Sequence, residues 1–155
     1  MKAAIIGLTA LAVVAWVVGG FFVFRSGGEK SGQTDFASRL DSLCATNKAQ
    51  TEALGQPSEI PLSKLYPGTV RIGRAFLKDA KALQPPPEQA EAAKTFLVQR
   101  GLYYDGLEYA YQFLTGQQNQ TAFVRIVDGA IANLENAEAA AKTIGAQKCA
   151  LRPFE

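Results

Sequence analysis

Two cysteines, Cys44 and Cys149, are the side chains with the most chemistry to offer. Three roles are open to them: a structural disulfide, two separate thiols, or a redox pair. Redox pairs place their thiols as Cys-x-x-Cys or beside a group that stabilises the thiolate. These two are far apart in sequence, and the chain has no histidine. A structural staple is therefore the expectation. The missing imidazole also excludes Ser-His-Asp and Cys-His hydrolases and histidine-ligated zinc, haem and di-iron sites. Two cysteines cannot build a metal site that needs four thiolates. The sequence predicts no catalytic residues, no metal and no cofactor.

The remaining polar candidates are weaker. Asp105 and Glu108 stand about one helical turn apart, with no partner base or metal-ligand set beside them. That does not make a hydrolase. Asn47 and Arg100 fall on apolar seams. Asn47 is expected to hold the C-terminal tail beside Cys44. Arg100, Tyr104 and Tyr111 could line a small polar pocket, although core packing and rim contacts are the commoner role of such residues. Lys64, Arg71, Arg74, Lys78 and Lys81 repeat at spacings of 7, 3, 4 and 3, which puts them on one helix face. Such a face suits anionic lipid head groups or wall polymers, or is balanced by acids on neighbouring helices. No aromatic residues are interleaved to stack bases, so nucleic acid is not expected as a partner.

These residues need helices to position them. No strand-like alternation occurs, and apolar residues recur every three or four positions. The first helix is expected from the cap pair Thr34-Asp35 to Leu54, with Phe36, Leu40, Leu43, Cys44 and Leu54 on its seam and Gly55 just beyond. The second is expected over Leu62–Leu83. Its seam keeps phase across Pro67, which predicts one kinked helix rather than two. The third opens at Pro87, with Glu88 and Glu91 in the first turn, and reaches Leu114 through Ala93, Leu97, Arg100, Tyr104, Leu107 and Tyr111. The fourth runs over Gln120–Ile144 along Phe123, Val127, Ala130, Leu134, Ala137 and Ala141, and Gly145 ends it. Short connections predict an up-down-up-down four-helix bundle, all-α, over residues 35–155. The first and last helices are then neighbours, and Cys149 returns towards Cys44.

Ahead of this domain, Ala3 to Phe24 carry no charge. As a helix they would span ~33 Å, enough for a ~30 Å hydrocarbon core. Residues 1–24 are read as a transmembrane anchor. A cleaved signal, with Val18 and Gly20 before the cut, is the competing reading, but secretory apolar regions usually end after ~7–15 residues. Residues 25–34, RSGGEKSGQT, read as a flexible tether. Lys2, Arg25 and Lys30 hold three of the 16 bases and Glu29 one of the 14 acids, so the domain from Asp35 onward has no formal net charge. Basic residues around the run do not favour export of the domain. A disulfide would, because it needs an oxidising compartment.

The order of features also resembles a known group. A run suited to anchoring and a polar tether precede a helix with Leu40, Cys44 and Asn47. Leu83-Gln84-Pro85-Pro86 ends a second helix, and a tail runs from Gly145 to Cys149. This is similar to small bacterial envelope proteins that are anchored or secreted helical bundles, over most of residues 35–149. The resemblance implies an extracytoplasmic bundle with a Cys pair and implies no substrate. The expected function is a single-pass, membrane-anchored envelope module that meets a protein or wall component. A small-molecule-binding, sensor-like bundle is the alternative, and an enzyme is not expected.

Overall fold

The computed structural model of the chain describes residues 30–116 and 120–150. The expected anchor at Ala3–Phe24 lies outside them. Among the described residues no helix is long and apolar enough to cross a membrane. The chain divides into two compact units, Met1–Gly32 and Gln33–Glu155, and the packing described below belongs to the second.

Four helices and no strands make up the described residues: α1 (Lys30–Glu52), α2 (Leu62–Lys81), α3 (Ala90–Thr115) and α4 (Gln120–Ile144). Two 3-10 turns complete them, Pro87–Gln89 before α3 and Gln147–Ala150 after α4. The helix α1 begins at Lys30, so residues 30–34 are helical and Thr34-Asp35 is not its cap. Only Gly32 among those five opposes helix strongly, at a cost of about 1 kcal/mol, and a helix already nucleated by a packed face extends easily past it. The α2 helix runs unbroken through Pro67. That residue costs one intrahelical bond, to the Ser63 carbonyl, but Ser63 and Pro67 are both exposed, so water can take the freed acceptor.

Each helix runs antiparallel to the one before it. Along α1 and α2, Leu54 meets Gly68 near one end, and Arg39 and Leu43 lie with Asp79 and Leu83 near the other. Along α2 and α3, Gly73 meets Tyr104, and the rings of Phe76 and Phe96 pack edge-on with centroids 6.1 Å apart. A β-carbon at position 73 would overlap the Tyr104 ring, so glycine is what lets the two helices approach there. Along α3 and α4, Gly106 lies against Ala130, and Gln89 Nε2 donates to the carbonyl of Ile144 at 3.0 Å.

The core joins large residues of α1, α2 and α3 (Phe36, Leu40, Phe76, Phe96, Tyr104) to alanines of α4 (Ala137, Ala140, Ala141). Pairing small with large side chains lets the layers interdigitate. Gly145 then takes a left-handed φ of 88°. The Ala146 N–H returns to the Ala141 carbonyl at 2.9 Å, and the Gly145 N–H to that of Lys142 at 3.1 Å. This Schellman ending turns the chain sharply and satisfies two orphan carbonyls of α4.

Candidate functional site

The tail that leaves Gly145 lies along α1. Cys149 is bonded to Cys44, with Cα atoms 5.0 Å apart and 105 positions between them in sequence. Both cysteines are buried, and no free cysteine exists. Neighbouring contacts align the tail. The Lys148 N–H donates to Asp41 Oδ1 at 2.7 Å, and Ala37 faces Gly145. The tail therefore follows α1 in its own direction, from Ala37 towards Cys44.

Asp41 binds the described part of the tail backbone, at Lys148. Asn47, expected to hold the tail, is buried one turn beyond Cys44. Its Oδ1 accepts from the Tyr104 hydroxyl of α3 at 3.3 Å. Its Nδ2 is buried without a hydrogen-bond partner among the described residues. Asp41 stands three residues before Cys44, on the same side of the helix, and that spacing was the one available signal for its role.

Arg100 and Tyr104 come together with Asn47 inside the core, and all three are buried. The Arg100 guanidinium sits 5.9 Å from the ring centre of Phe76 and 5.8 Å from those of Tyr103 and Tyr104. Three ring faces thus receive a buried cation that has no ion pair among the described residues. Tyr111 is not part of this group. It is half-buried, two turns further along α3.

The basic face of α2 divides into two parts. Arg74 pairs with Asp105 and Glu108 of α3, the second at 3.2 Å. Its hydrogen bond to Asp105 is the main reason its guanidinium is held above the ordinary arginine range. Asp105 and Glu108 thus balance a base. Lys64, Arg71, Lys78 and Lys81 are exposed and make no ion pair with a described residue. No group of three or more His, Cys, Asp or Glu among the described residues could hold a metal ion.

One feature escaped the reading of the sequence. A half-open groove of about 330 Å³ lies where the start of α1 meets the end of α2 and the start of α3. Phe36, Leu40, Leu83, Phe96 and Leu97 line it, with Lys81 and Lys94 as its charged residues. Three segment ends build it, so no local pattern announces it. No family model matches this chain, and no curated protein or solved structure matches it either.

Proposed function

We propose that the protein is a membrane-tethered module of the cell envelope. In this reading residues 3–24 anchor the chain, and the helical bundle stands outside the cytoplasm to meet a protein or wall component. The observation that carries it is the disulfide between Cys44 and Cys149. Such bonds persist in oxidising compartments and are rare in cytosolic proteins. The uncharged run Ala3–Phe24 supplies the means of attachment. Lys64, Arg71 and Lys78 on α2 offer an exposed basic contact for anionic envelope polymers.

The test is thiol labelling in intact cells with a membrane-impermeant maleimide, with and without reduction under mild denaturation. The expected result is labelling of both cysteines only after reduction. Labelling that needs cell lysis and no reductant overturns the reading. A second reading, a bundle that binds a small molecule, draws support from the groove between α1, α2 and α3.

A further inference from the structure

The groove combines three features. Its volume, about 330 Å³, falls within the roughly 300–1,000 Å³ of small-molecule sites. Its floor is apolar: Phe36, Leu40, Ala93 and Phe96 are all buried core residues that also line it. Among the described residues its lining contains two cations, Lys81 and Lys94, both exposed, and no acid. A neutral apolar ligand leaves those ammonium groups without a role, and a cationic one is repelled. The complementary ligand is elongated and apolar, with an anion at one end.

The position of the groove agrees with such a ligand. It opens beside the start of α1, and Phe36 comes only 12 positions after Phe24, the last residue of the uncharged run. On the anchored reading, chain of that length limits the distance from the end of the run to Phe36 to roughly 40 Å, and bilayers are where free fatty acids concentrate. We propose that the groove binds one fatty acid, its acyl chain along Phe36, Leu40, Phe96 and Leu97 and its carboxylate between the ammonium groups of Lys81 and Lys94. Buried methylenes supply the affinity, and the lysine pair sets the orientation and the preference for an anion. This site names a ligand class for the second reading above and rests on it. The membrane reading bears only on where the ligand comes from.

The test uses the full chain in whichever cell fraction holds it and lauric acid carrying a diazirine at its methyl end. After illumination, adducts are mapped by peptide mass spectrometry. The expected adducts fall on the peptides that hold Phe36, Ala93 and Phe96. Excess laurate should abolish them, and dodecyltrimethylammonium should not. K81E/K94E should shift half-saturation to roughly tenfold higher laurate. Ala90→Trp, from an exposed position on the rim, should block labelling while the gel mobility of the disulfide-bonded form stays unchanged.

Adducts confined to residues 3–24, adducts that do not saturate, or equal competition by the cationic amphiphile would each overturn the proposal. So would wild-type labelling of K81E/K94E. Thiol labelling reads the side of the membrane separately. Domain labelling outside the cytoplasm without groove adducts removes the ligand and leaves the topology standing. Groove adducts on a cytoplasmic domain do the reverse.

Discussion

The two ends of the bundle are built from similarly apolar sequence and differ in burial. At the end that holds the disulfide, Ala137, Ala141 and Ala146 have no exposed surface, and Ile144 and Cys149 are nearly as buried. At the other end, α4 has no buried residue before Ala130, although Phe123, Val124, Ile126 and Val127 lie there. The α3 helix mirrors it: Ala110 is its last buried residue, and Leu114 is 41 % exposed. The cause is coverage. Asn47 of α1 sits level with Tyr104 of α3, and α1 ends at Glu52, about 7 Å further on at ~1.5 Å per residue. Beyond that point, among the described residues, α3 and α4 have no fourth helix over them. At the disulfide end both α1 and the returning tail cover the core. Apolar pattern marks which face of a helix can be buried. The reach of its neighbours decides how much of that face is.

The largest expected effect breaks the tight end directly. Cys44→Ser should cost about 4.7 kcal/mol, the chain-entropy value for a closed loop of this length, read by urea unfolding with and without reductant. A loss below about 1 kcal/mol would mean that the tail docks without the bond. Leucine truncation then compares the ends. Leu40→Ala, at a site 2 % exposed, should lose about 3 kcal/mol. Leu114→Ala should lose under about 0.5 kcal/mol. Equal losses in thermal unfolding would refute the difference in coverage.

A smaller effect isolates the tail's polar contact. Asp41→Ala removes the acceptor of the Lys148 N–H and should cost about 1 kcal/mol. Native-state hydrogen exchange should become faster at Lys148 and stay unchanged at the uncovered end. Another small effect lies on the surface between the ends. Arg74→Ala breaks exposed pairs with Asp105 and Glu108. It should cost under about 1 kcal/mol, and less still in high salt. A salt-independent loss would point to packing by the arginine stem instead.

Much of this architecture was legible in residue order. Gly55, the run Pro85-Pro86-Pro87 and Gly145 punctuate the chain where the helices stop or start. The period along α4 gave its bounds, and the antiparallel order brought Cys149 back to Cys44. Contacts that depend on how one helix is rotated against another were not legible. Asn47 and Tyr104 are 57 positions apart, and no spacing within either helix links them. Tyr111 and Leu114 keep the seam's period, which predicts burial, yet they lie beyond the cover of α1. The groove combines residues of α1, α2 and α3, and each segment alone reads as ordinary core.

The bond between Cys44 and Cys149 also changes what a broken backbone means. Everything between those residues forms one covalent ring, with a second path joining its ends. A protease that cuts once at the exposed stretch Gln56–Glu59 opens the ring without dividing the molecule. The product has two chains, a new pair of termini and one mass until reductant is added. Wherever proteases and oxidising conditions occur together, the fold can be nicked and remain in one piece.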